Sequence, residues 1–84
     1  MIKVLFFASI REQLGRSELS CPHPGESYSL TELISDLLAQ NGEDWREVLL
    51  APNVVRAVNQ DVVESDCPLA DGDEVAFFPP VTGG

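Results

Sequence analysis

Basic residues are scarce in this 84-residue chain: five Lys and Arg stand against fourteen Asp and Glu, for a net charge of −9. Nucleic acids and anionic lipid surfaces reward Lys/Arg patches, so neither is an expected partner. The charge suits good solubility or a partner with a basic docking face. Cysteine and histidine are scarce too. Cys21 and Cys67 form no Cys-x-x-Cys pair, and with His23 as the sole histidine they make no ligand set for a structural zinc. The run Cys21-Pro22-His23 reads as a turn, because near neighbours in sequence rarely meet in catalytic geometry. No apolar run approaches membrane-spanning length. Residues 1–10 hold one Lys and a short apolar stretch, yet Arg11-Glu12-Gln13 stands where a signal peptide needs small residues for cleavage. The expected location is therefore cytoplasmic, where both thiols stay reduced. Repeats, linkers and low-complexity runs are missing as well.

What is present is one domain, near the size at which a single core only just offsets the entropy of folding. Hydrophobic residues make up 44% and charged residues 23%, ordinary for a folded protein. Residues 2–8 (IKVLFFA) are β-branched and aromatic, as in a strand buried on most of both faces. Ser9 and Glu12 have capping-box spacing, predicting a short helical turn to Leu14 that Gly15 stops. Residues 16–21 alternate, with Leu19 and Cys21 on one side, as a strand returning antiparallel to the first. Ser29 and Glu32 repeat the capping-box spacing. Leu33, Ile34, Leu37 and Leu38 follow at helical intervals until Asn41-Gly42. Residues 44–50 suit a second, shorter helix before Pro52. Short strands are expected at 54–59 and 62–63 around a turn at Gln60-Asp61, then a turn at 70–73 and a last strand at 74–78 that Pro79-Pro80 ends. Strands around a helix give an α+β class with a mixed sheet covered on one face, the order of a ubiquitin-like β-grasp.

The domain is expected to span residues 1–78, with 79–84 (PPVTGG) as an extended tail. Pro79 and Pro80 favour a polyproline conformation. Gly83 and Gly84 carry no Cβ, so their backbone fits a narrow channel that other residues would block. A carboxylate on such an arm is inert until an oxygen becomes a better leaving group, as in an acyl-adenylate. The tail is thus built for activation by a partner. Two terminal glycines alone are weak evidence, because termini are commonly frayed and glycine-rich. Placed directly after a buried strand and a diproline, they become strong.

Residues 3–8 (KVLFFA) with Arg11-Glu12, residues 57–60 (AVNQ) and residues 68–84 (PLADGDEVAFFPPVTGG) together resemble the small subunit of molybdopterin synthase, a ubiquitin-like sulfur carrier. The likeness runs along the whole chain, is weakest from 14 to 54, and shows no departure in the last block. It implies a cycle in which an adenylating enzyme similar to the ubiquitin-activating class uses ATP and magnesium to adenylate Gly84. Sulfur from a persulfide donor then leaves a thiocarboxylate. The charged carrier pairs with a large subunit that binds the pterin precursor, and gives up its sulfur to molybdopterin. Such a sulfur is ionised and soft, so it attacks carbon as a thiolate does. A tether raises its effective concentration. No cofactor is expected to be bound permanently, no metal site is expected, and no catalytic side chain is needed on this chain.

Strand alternation adds a docking surface. If Val75 and Phe77 face the helix together with Ile2, Val4 and Phe6, then Phe7 and Phe78 emerge on the opposite face near the root of the tail. The resemblance implies that this patch meets the large subunit, with Val62 nearby and with Pro79, Pro80, Val81 and Thr82 continuing the contact. A sulfur carrier for thiamine biosynthesis would use the same tail, but it would be shorter, lacking the extra segment 41–51. A ubiquitin-like protein modifier would instead join Gly84 to target lysines.

Overall fold

The computed structural model describes residues 1–79, so the calls on Pro80, Val81, Thr82, Gly83 and Gly84 lie outside the described residues. Five strands and three helices follow in the order β1 (Ile2–Phe6), α1 (Ala8–Leu14), β2 (Glu18–Cys21), α2 (Leu30–Asn41), α3 (Glu43–Leu49), β3 (Val55–Val58), β4 (Asp61–Val63) and β5 (Glu74–Phe78). The strands form one sheet in the order β2-β1-β5-β3-β4. β1 runs parallel to β5, and the other pairings are antiparallel, so the sheet is mixed and the architecture is the expected β-grasp.

Period-two alternation decides which side chains of the sheet meet the helices. Ile2, Val4 and Phe6 of β1 and Val75 and Phe77 of β5 are at most 1% exposed. Against them α2 lays Leu30, Leu33, Ile34 and Leu37, and Leu38 packs at the edge of the same cluster. The Ser29 hydroxyl accepts the Glu32 N–H at 3.2 Å, and Asp66 accepts the Thr31 N–H at 2.8 Å, so two orphan donors of α2 are satisfied. α3 plugs the remaining space with Leu49 and with Trp45, whose ring meets Phe6 edge-on at 5.4 Å. α1 packs on α3 and β5 and contributes Ile10.

Three local expectations are corrected. Ser9 does not cap α1: the chain leaves β1 at Phe7, which takes the cap position, and Ser9 falls inside the helix. Phe7 is fixed there because its N–H is held by the Phe77 carbonyl at 3.2 Å. The β3–β4 turn is Asn59-Gln60 rather than Gln60-Asp61. Val58 pairs with Asp61, and both turn residues have positive φ (51° and 73°), the twist a two-residue hairpin requires. Finally, β1 stops at Phe6 and β2 starts at Glu18, each shorter than its apolar or alternating run. Gly15 ends α1 in the left-handed conformation as expected.

Candidate functional site

β5 lies in the middle of the sheet, and its parallel neighbour β1 ends beside it, with Phe6 registered against Phe77. The next residue of each strand therefore turns away from the helices at the same end of the sheet. These are Phe7 and Phe78, and their rings stack with centroids 4.6 Å apart and planes 5° from parallel. Phe7 remains 37% exposed and Val62, on β4, 66% exposed. The two aromatics and Val62 line one depression of about 350 Å³ with Leu5, Ala57, Gln60, Glu74 and Ala76. Ala57 and Ala76 face one another across β3 and β5, and as small residues they leave the hollow between the larger walls.

The structure thus gathers three of the sequence-predicted residues, Phe7, Val62 and Phe78, into one surface. Pro79 stands apart: it borders a different groove, between α1 and α3, with Ile10, Gln13, Val48 and Pro52. Sequence reasoning missed Ala57 and Ala76, whose only signal was their place in alternating strands. It also missed Asn59 as a positioning residue. The Asn59 side-chain oxygen accepts the Glu74 N–H, and its amide donates to Asp73, each at 3.0 Å, tying the β3–β4 turn to the start of β5. An Asn beside a two-residue turn, tolerant of positive φ, was the available cue.

Among the described residues, neither cysteine stands ready as a thiolate nucleophile. Burial pushes the Cys21 thiol up, with help from Asp36, and burial followed by Asp66 does the same at Cys67. Both are therefore held as thiols at neutral pH. His23 has both ring nitrogens occupied: Nδ1 accepts the Gly25 N–H at 3.0 Å and Nε2 donates to the Leu69 carbonyl at 2.9 Å. Burial, reinforced by its hydrogen bond to Asp36, raises the Tyr28 phenol far above its ordinary range. Asp73 goes the other way, its carboxyl lowered by the Ala70 N–H and then by the Asn59 amide. Among the described residues no group of His, Cys, Asp and Glu is arranged to hold a metal, and no helix is long and apolar enough to cross a membrane. What the arrangement offers is an open apolar surface at the end of a strand that leads into the tail.

Comparison with known proteins identifies the family. The model of the ThiS family matches residues 4–84. The chain is 45% identical over 84 residues to the molybdopterin synthase sulfur carrier subunit of Escherichia coli (strain K12), with the whole of both chains covered. It is 37% identical, again over the whole of both, to the subunit of that name from Haemophilus influenzae. Among solved structures, it superposes with a TM-score of 0.69 and 27% identity on a chain of the complex of subunits 1 and 2 of molybdopterin-converting factor from Helicobacter pylori 26695, covering 99% of this chain and 97% of that one.

Proposed function

Because this chain belongs to the ThiS family and is a sulfur carrier of the molybdopterin synthase kind, we propose that Gly84 is its reacting residue and that its open sheet face is where the large subunit docks. The supporting observation is the stacked Phe7–Phe78 pair at the end of β5, with Phe7 exposed and Phe78 half-buried. The solved complex of subunits 1 and 2 from H. pylori supports a large-subunit partner.

In the proposed cycle, a carboxylate oxygen of Gly84 attacks the α-phosphate of ATP on a separate, magnesium-dependent adenylating enzyme. Pyrophosphate leaves and an acyl-adenylate remains. The terminal sulfur of a persulfide donor then attacks the acyl carbon and AMP departs. A second thiol cleaves the S–S bond, leaving the thiocarboxylate on Gly84. Docked on the large subunit through Phe7, Val62 and Phe78, with 79–82 as the connecting arm, the carrier transfers that sulfur to the pterin precursor, which the large subunit holds. Gly83 keeps the approach to the reacting carbon narrow. The partner consumes ATP and uses magnesium as its metal ion, and the whole cycle runs in the cytoplasm.

The test is deletion of Gly84. Removing one extended residue withdraws the reacting carbon by roughly 3.5 Å, against the ~1 Å misplacement that can already cost a hundredfold. Incubated with the adenylating enzyme, ATP and a persulfide donor, the parent should exchange one oxygen for sulfur by intact mass, and the deletion variant should not. The two should melt alike. A deletion variant that is still charged and still supports synthesis at the parental rate would remove the proposal.

A further inference from the structure

The groove that Pro79 borders is a second apolar surface, and it joins the first. Its volume is about 410 Å³, and Val48, Ala51, Pro52, Val54 and Pro79 supply apolar walls. Local chain geometry places it there twice over. Phe7 is the cap residue of α1, so the helix begins one residue after the first stacked ring, and its Ser9 and Gln13 form one side of the groove. Phe78 ends β5, so Pro79 follows the second stacked ring directly and stands on the helix side of the sheet. The open-face depression and the groove therefore share an edge, which runs through Phe7-Ala8 and Phe78-Pro79.

Charge narrows what fits the groove. α3 carries Asp44 and Glu47 on the flank that holds Val48, one turn apart and both exposed. Glu47 is itself part of the groove wall. Neither acid makes an ion pair among the described residues, whereas Glu43 is held by Arg46 at 3.3 Å. The α1 side is polar and uncharged at Ser9 and Gln13. An apolar floor with one acidic rim has the arrangement of a protein interface, and it suits an apolar side chain with a Lys or Arg beside it. A partner that rests on Phe7 and Phe78 and also takes up the chain beyond Pro79 has to pass this edge. We propose that the groove between α1 and α3 is a second docking surface for the large subunit, which fills it with an apolar side chain and sets a basic one against Glu47. The proposal rests on the reading of the open face as the large-subunit interface, and it carries that interface round the edge of the sheet. A partner that holds the end of β5 from both sides fixes its direction, whereas a grip on the open face alone leaves the domain free to pivot.

The experiment is calorimetric titration of the full chain with the large subunit, each variant's fold being checked by circular dichroism. Ala51→Trp fills the groove and leaves the open face untouched, and it should weaken the complex about tenfold or more, as for a blocked anchor pocket. If Ala51→Trp does not fold, Gln13→Trp blocks the groove from an exposed position on the opposite wall and carries the comparison. Glu47→Arg should weaken the complex about fivefold at low salt, with a gap that narrows as salt rises. Glu26→Arg makes the same charge change in the loop before α2, which lies at the other end of the sheet, and should change affinity far less. Parental affinity in the groove variants, with Phe7→Ala still weakened, would overturn the groove and leave the open face standing. Weakening by the groove variants with Phe7→Ala at parental affinity would uphold the groove and remove the open face. Equal weakening by Glu26→Arg and Glu47→Arg would reduce the acidic rim to net charge and overturn the basic contact.

Discussion

Phe6 and Phe7 are neighbours in the chain, yet one is 1% exposed and the other 37%. They stand on opposite faces of one sheet, and the two faces do different work with the same residue types. On the covered face, Phe6 stacks on Phe77 and meets Trp45, and α2 and α3 close over both. On the open face, Phe7 and Phe78 lie against each other over a floor of Ala57 and Ala76. Apolar side chains stabilise a fold only where a second layer removes them from water. Where that layer is missing, the same side chains stay open to solvent, and an apolar patch of that kind is the face proposed for the large subunit. Stacking the two rings on one another and keeping the centre of the face small limits how much apolar area is left bare.

Truncation on the covered face should have the largest effect. Phe6→Ala removes a fully buried ring, a change that typically costs about 3–5 kcal/mol, from a domain whose total stability is of the order of 5–15 kcal/mol. Circular dichroism should record a much lower melting temperature or loss of folding; an unchanged melt would break the division between the faces. Phe7→Ala should do the reverse. The melt should move by no more than a few degrees, while affinity for the large subunit, read by calorimetry, should fall about tenfold or more, as for an aromatic anchor. Equal affinity of variant and parent would remove the open face from the interface.

The smallest effect belongs to the polar end of β5. The Asp73 carboxyl is lowered by the Ala70 N–H and then by the Asn59 amide. A depressed folded value means that its stabilisation is present above the unfolded value of about 3.9 and is lost as pH falls through and below it. Asp73→Ala should therefore be slightly less stable than the parent at pH 7, and their urea midpoints should draw together as the pH falls below about 3.9. The exposure of the group keeps the difference modest. Binding that depends on Phe7 should be unaltered. A gap that persists unchanged at pH 3 would show that the carboxylate charge is not what Asp73 contributes.

Much of the fold and part of the site were legible because they rest on local chemistry. Period-two alternation set the faces of β1 and β5, and Ser29 and Gly15 marked helix ends by the donors and φ angles that those ends require. Ser9 misled because its spacing was right but its position was decided elsewhere, by the Phe77 carbonyl holding the Phe7 N–H. The β3–β4 turn slipped by one residue because Asn59 gains its partners from Asp73 and Glu74, fourteen and fifteen positions away. Trp45 gave no sign of its role either, since a helix of seven residues has too little periodicity to declare a buried face.

By itself the sequence determined the alternation, the helix boundaries at Ser29 and Gly15 and the end of β5 before Pro79, because each depends on residues adjacent or a few positions apart. Only the tertiary structure decided that Phe7 and Phe78 stack, that Ala57 and Ala76 make the hollow beside them, and that Pro79 borders another groove. Those outcomes depend on which strands lie side by side and which face the helices cover. Pairing of β1 with β5 across some seventy residues of chain is fixed by the burial of the whole core, not by any local run.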